Sequence, residues 1–209
     1  MLFSIGIALL VGILLGLLSA RYHNGVLDHI TRTFTVFNMS TPSFWLALIF
    51  LWLFAVKLRL FPAFGYDGLR SLVLPSVVQG LSNCGTFLRV TRICALDSLA
   101  SGYVITARAK GLDEFSLLIK HVFKNILIPI LTMMGGTFAS LIGGSVIIET
   151  VFGLPGIGNY LISAIGVKDF PVILGFLFVL GLMIITMNLL IDAIYIVIDP
   201  RVRQGTNET

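Results

Sequence analysis

Polar side chains inside apolar runs are the first residues of this chain whose types and spacing could do chemistry. Between Leu72 and Leu96, Gln79, Ser82, Asn83 and Thr86 interrupt an otherwise apolar stretch. At 100° per residue they fall within an arc of about 100°, so a helix there carries a polar stripe. Such a stripe lines a water-filled path or faces a bundle interior, and the same residues also hydrogen-bond one helix to another. The second group is the charged segment 97–125, with Arg108, Lys110, Asp113, Glu114, Lys120 and Lys124, preceded by Arg89 and Arg92. Its mixed charge around Gly111 offers either a surface for another protein or a solvated link between two apolar runs. Signatures of catalysis are missing. The chain has no G-x-x-x-x-G-K-[ST] phosphate loop, no HExxH, no GxSxG and no paired carboxylates within an apolar run. No catalytic residue and no metal site are expected. Cys84 and Cys94 would lie about 15 Å apart along a helix, too far for a disulfide, and read as free thiols.

Membrane-spanning elements must position these groups. Of 209 residues, 57% are hydrophobic and 11% charged, and mean hydropathy is +1.01. Soluble domains carry about 25% charged residues. Five apolar runs are each long enough to cross a bilayer as a helix: Leu2 to Ala20, Val36 to Val56, Leu72 to Leu96, Ile126 to Ile148 and Pro171 to Ile198. None alternates as a barrel strand would. The first lacks a preceding basic residue and exceeds a typical signal core, so it reads as a span. The expected fold is an all-α polytopic bundle of about five transmembrane helices, one domain over 1–209. Net charge is +4. The basic residues sit in short gaps, where they set membrane orientation rather than bind nucleic acid. Arg21, Arg32, Arg108, Lys110, Lys120, Lys124, Arg201 and Arg203 share one face if the runs alternate. By the positive-inside rule that face is cytoplasmic, which puts the C-terminus inside and the N-terminus outside. Glu149 then sits at the outer boundary. His23, His29 and His121 lie in cytoplasmic gaps, and Ser145 and His121 fall on opposite sides, which removes them as a catalytic dyad.

Segment 97–125 reads as a cytoplasmic loop of two short helices broken at Gly111. Phe115, Leu118, Ile119, Val122, Phe123 and Ile126 recur at one-face helical spacing. Asp113 suits the N-cap, with acids at the start and Lys120 and Lys124 toward the end. The reading is an interfacial helix that either connects two spans or docks a soluble partner, with Pro129 marking the return to the membrane. Gly135, Gly136, Gly143 and Gly144 suit close helix packing. Asp192, in the last run, is a possible ion-pair partner for Arg89 or Arg92.

At these residues the chain resembles a known family. Tyr103-Val-Ile-Thr-Ala-Arg-Ala-Lys-Gly111, followed by His121, Asn125 and Pro129, is similar to the cytoplasmic loop of bacterial ABC importer permeases of the dipeptide/oligopeptide/nickel branch. Pro42-Ser-Phe-Trp45, Leu74-Pro75, Gly143-Gly-Ser-Val-Ile-Ile-Glu149, Val151-Phe-Gly-Leu-Pro-Gly-Ile-Gly158, Asn188-Leu-Leu-Ile-Asp192, Tyr195 and Asp199-Pro-Arg201 agree in order and spacing. The Gly-Leu-Pro-Gly-Ile-Gly stretch resembles the B-type permease. The resemblance implies a type I importer permease fold with a cytoplasmic coupling helix. It also implies a C-type permease partner, cytoplasmic ABC ATPases that bind ATP and Mg, an extracellular or periplasmic binding protein, and lipid. No cofactor is implied in this chain, and ATP hydrolysis is expected on the separate ATPases. Ala107, Ala109 and Gly111 correspond to the EAA-like motif, with Thr106 where the wider consensus has Glu. The resemblance thereby assigns ATPase coupling to Ala107, Arg108, Ala109, Lys110, Gly111, Leu112, Asp113 and Glu114. Gln79, Ser82, Asn83 and Thr86 are the expected pathway lining. Family members carry a further transmembrane helix and an outer segment ahead of the position of Leu2, which accounts for an outside N-terminus. The implied cargo is a peptide, nickel or a metal chelate. The alternative is a secondary carrier or channel, but carriers place ionisable groups near mid-bilayer and none of these runs does.

Overall fold

The computed structural model of the chain describes residues 2–198, apart from the side chains of Phe115, Lys120, His121, Val197 and Ile198. Asp199, Pro200, Arg201 and Arg203 lie outside the described residues. All regular elements among the described residues are helical. They are α1 Leu2–Arg21, α2 Val26–Ser40, α3 Ser43–Phe50, α4 Arg70–Leu99, α5 Gly102–Ala109, α6 Glu114–Leu117, α7 Phe123–Phe152, α8 Ile157–Gly166 and α9 Phe170–Ile198. Two π-helical stretches join them, Leu51–Lys57 after α3 and Leu118–Val122 between α6 and α7.

The bundle is organised around α4, and α1 explains how. Ser4, Ala8, Gly12, Gly16 and Ala20 recur every four residues and are buried, a seam of small side chains that lets two backbones approach. A Cβ on Gly12 would stand 2.6 Å from the Cβ of Phe87, and one on Gly16 would stand 2.6 Å from that of Thr91. Ser4 and Ile7 lie at Gly80, and Ser19 lies at Arg92, so α1 and α4 run parallel. The antiparallel α7 closes the other side, with Ile5 near Phe138 and Leu141, and Ala20 near Leu118 and Val122. α9 packs along α7 and touches α8; on α7, Asn188 Oδ1 would stand 2.8 Å from a Cβ on Gly135.

By length and composition α1, α7 and α9 qualify as spans, and α2 with α3 and its π extension qualifies as a fourth when the pair, bent by 103°, is counted as one span. The fifth expected span, Leu72 to Leu96, lies within α4, which is 30 residues long. It is too polar to qualify by composition, and its neighbours, rather than lipid, surround much of its polar side. The second expected run, Val36 to Val56, is displaced more. Helix already begins at Val26, because α2 is amphipathic and turns Asp28, Thr31, Thr35 and Asn38 inward. Thr41-Pro42 then breaks it, since proline disfavours helix in the residue before it. Asn38 fixes the upper end of α2. Its Nδ2 donates to the Leu81 carbonyl at 2.8 Å and its Oδ1 accepts from the Gly85 amide at 3.1 Å.

Two expectations are corrected. The amphipathic stretch after Gly111 is not a separate helix. It continues through the π turn into α7, and Leu118, Val122 and Ile126 pack on Ala20 and Ala95, with Pro129 inside the helix. Only two of the four glycines of α7 meet a neighbour. Gly135 faces Asn188 and Gly144 faces Gln79, whereas Gly136 and Gly143 have open space.

Candidate functional site

The segment between α4 and α7 folds as a compact hairpin. Val104 and Ala107, three residues apart on α5, are buried against Leu117 and Leu99. Ala107 is 8% exposed and shares this cluster with Leu117. The chain then reverses at Gly111, whose φ of +84° is a conformation that L side chains resist. A Cβ there would meet nothing within 4 Å, so conformation rather than space selects glycine. Asp113 caps the next helix as expected, its Oδ2 accepting from the Ser116 amide at 3.1 Å. Across the turn Arg108 grips Glu114 with two hydrogen bonds, Nε to Oε1 at 2.7 Å and Nη2 to Oε2 at 3.2 Å. Asn125 Nδ2 donates to the Tyr103 hydroxyl, tying the hairpin to the base of α7. Ala107 is buried, whereas Arg108, Ala109, Lys110, Gly111, Leu112, Asp113 and Glu114 are all exposed. The hairpin therefore presents mixed charge and apolar side chains, including Tyr103 and Ile105, as one projecting surface. Thr106 stays local, donating to the Gly102 carbonyl at 2.9 Å.

Beside the hairpin lies a buried ionic joint that sequence reasoning missed. Arg92 does not pair with Asp192. It binds Asp28, Nε to Oδ1 at 2.7 Å and Nη2 to Oδ2 at 2.9 Å. The Asp28 side chain is 0% exposed and accepts further bonds from Ser19 Oγ at 2.6 Å and the Asn24 amide at 3.0 Å. Thr31 Oγ1 donates to Ser19 Oγ, and half-exposed His23 borders the pair. The joint unites α1, α2 and α4. The available signal was Asp28 set among Thr31, Thr35 and Asn38 at helical spacing, a polar face too strong for a mere link.

The polar stripe of α4 is present but its members differ. Gln79 is buried against α7, its Nε2 3.4 Å from the Leu141 carbonyl, while its Oε1 has no partner among the described residues. Ser82 donates to Val78 O and Asn83 to Gln79 O, each within its own helix. Ser82, Asn83 and Thr86 are half-buried.

At the far end of the bundle, Glu149 organises the Gly-Leu-Pro-Gly-Ile-Gly stretch. Its Oε2 accepts from the amides of Gly158 and Asn159 at 2.8 and 3.1 Å, capping α8 where the helix dipole favours an anion. A Cβ on Gly156 would fall 2.2 Å from the carboxylate carbon, so these glycines make room for the acid. Gly153 ends α7 in the left-handed conformation at φ +61°. The motif was visible in the sequence, but the carboxylate that it surrounds was not.

Comparison with known proteins agrees with this architecture. Residues 12–204 match the family model described as binding-protein-dependent transport system inner membrane component. A Brucella abortus (strain 2308) chain named for a peptide transport system permease is 40% identical over 210 residues, covering 97% of this chain and 67% of its own length. The dipeptide transport system permease protein DppB of Bacillus subtilis is 36% identical over 200 residues, covering 96% of this chain and 65% of its own. The glutathione transport system permease protein GsiC of Pectobacterium atrosepticum is 38% identical over the same shares. The chain thus spans about two thirds of these relatives' length. An inward-facing structure of the MetNI methionine ABC transporter superposes with a TM-score of 0.74 at 18% identity, covering 94% of this chain and 89% of that one, and so shares the fold. Matched over nearly its whole length and folded as a multi-pass helix bundle, the chain belongs to the family of binding-protein-dependent transport system inner membrane components.

Proposed function

We propose that the chain is the B-type permease of an ATP-driven importer whose cargo is a peptide, with the hairpin of residues 102–117 as its contact with a cytoplasmic ATPase. The hairpin carries the reading. It projects seven consecutive exposed residues, Arg108 to Glu114, from a base fixed by Val104, Ala107 and Leu117. A projection with a packed base and an adaptable tip suits a groove on a soluble partner. Peptide is favoured over nickel or a chelate because the relatives just described carry names for peptide, dipeptide and glutathione transport. On this reading the hairpin end is cytoplasmic, a C-type permease completes the pathway, and ATP with Mg is handled by the ATPases. A binding protein delivers cargo to the far end. The half-buried stripe of Ser82, Asn83 and Thr86, with Gln79, lines part of the pathway.

The test is copurification from a native bacterial membrane in mild detergent, followed by peptide uptake into proteoliposomes. Recovery of an ATPase and a second permease, with the ATPase lost in Gly111→Pro, supports the reading. Recovery of the chain alone, with flux independent of ATP, overturns it. Uptake of nickel but no peptide would replace the cargo and leave the coupling intact.

A further inference from the structure

Two clefts at the far end of the bundle share Ser145, Glu149 and Gly156, with volumes of about 280 and 270 Å³. The first also meets Tyr66, Ser76 and Gln79. Their charge is one-sided. Glu149 is the single ionisable carboxylate of both linings, and no Lys, Arg or His lines either one among the described residues. Its Oε2 is occupied by the two α8 amides, while Oε1 carries no hydrogen bond among those described. Gln79, 6% exposed, also lines the first cleft, and its enclosed carbonyl oxygen has no hydrogen-bond partner among the described residues. A buried carbonyl left without a donor is destabilising, so a donor from outside the chain that reached it would be stabilised. Ser76, Ser145 and Tyr66 add hydroxyls that can accept as well as donate.

We propose that the cleft between Glu149 and Gln79 is a cation-selective station that takes the protonated amino group of the cargo. A primary ammonium is compact and offers three N–H donors and no acceptor. A carboxylate oxygen, an orphan carbonyl and hydroxyls match that set, and an anionic group would meet repulsion from Glu149. Naming the cargo group rests on the peptide reading above, since a peptide carries an α-ammonium; the charge preference of the cleft does not.

The two parts separate in one experiment. Ser145→Cys is introduced into the complete permease–ATPase complex with Cys84→Ala and Cys94→Ala, and the thiol is reacted with a cationic and an anionic methanethiosulfonate of similar size. The cationic reagent is expected to react about ten-fold faster or more, the range that local charge focusing gives. Glu149→Gln keeps an oxygen for the Gly158 and Asn159 amides, so α8 stays capped, and should bring the ratio to within about two-fold of a neutral control. A peptide with a free amino terminus, delivered by its binding protein, should slow the cationic reaction, and Gln79→Leu should weaken that protection. Equal rates for both reagents, or a ratio unchanged by Glu149→Gln, overturn the station even if peptide uptake is normal. A charge preference that survives with neither protection nor peptide uptake leaves the station standing and overturns the peptide reading.

Discussion

The ion pairs Asp28–Arg92 and Arg108–Glu114 stand near the same end of the bundle and have the same bidentate form, yet they are held in opposite ways. Asp28 is fully enclosed and has a serine and a backbone amide besides its arginine. Arg108 and Glu114 are each about half exposed, at 48% and 46%. A buried pair is costly to break because the survivor is left charged and desolvated, whereas an exposed pair is worth about 0–1 kcal/mol. The difference separates two jobs. The joint ties α1, α2 and α4 together through a buried pair, whereas the hairpin tip is held by a pair that solvent screens. On the reading proposed above, the ATPase contact then has a stiff base and a compliant end.

The largest effect that would break this contrast is at Asp28. Asp28→Ala should destabilise the chain by about 3–5 kcal/mol, read as the thermal midpoint of the purified complex. The double change Asp28→Leu with Arg92→Met should recover most of that loss, because replacing both charges with apolar groups removes the orphan. If the single and double variants unfold alike, the joint is not stabilising through its charges. Next comes Glu149→Ala, which removes a charged acceptor from two amides at the far end. Hydrogen exchange at Gly158 and Asn159 should accelerate about thirty-fold, equivalent to about 2 kcal/mol, with the hairpin amides unchanged. Gly111→Ala should cost about 1 kcal/mol for the left-handed turn, and uptake should fall by more than stability does. The smallest effect on stability belongs to Arg108→Ala, about 0.5 kcal/mol or less. The ATP consumed per molecule of cargo should nevertheless rise if the tip is a docking surface. A large shift in midpoint from Arg108→Ala would erase the distinction between stiff joint and compliant tip.

Much of the bundle was legible because lipid imposes a simple rule on it. α1, α7 and α9 are apolar over the length of a bilayer, and each falls within a few residues of its expected run. The hairpin was legible for a different reason: the apolar spacing of 115–126 and the acid after Gly111 both encode helix with a capped start. Hydropathy failed where protein rather than lipid is the solvent. α2 hides its polar residues against α1 and α4, so averaging over its length concealed the first half of a broken span. Long-range polar partners were also out of reach. Arg92 had candidate acids on either side in the chain, and only the packing of α2 against α4 brings Asp28 to it. Glu149 and the glycines after it were seen as a motif, but spacing alone does not say that the carboxylate occupies the room those glycines leave.

The capping of α8 has a consequence for how the chain is made. Glu149 precedes the amide of Gly158 by nine residues. When that amide leaves the ribosome its acceptor has already been synthesised, and the outer turn can close on material already in place. Asp28 is different. Its arginine follows 64 residues later, and during that interval the acid has only Ser19, its neighbour amide and water to satisfy it. The acid gains its full set of partners only once α4 has been made, through the meeting of two helices and not the completion of one.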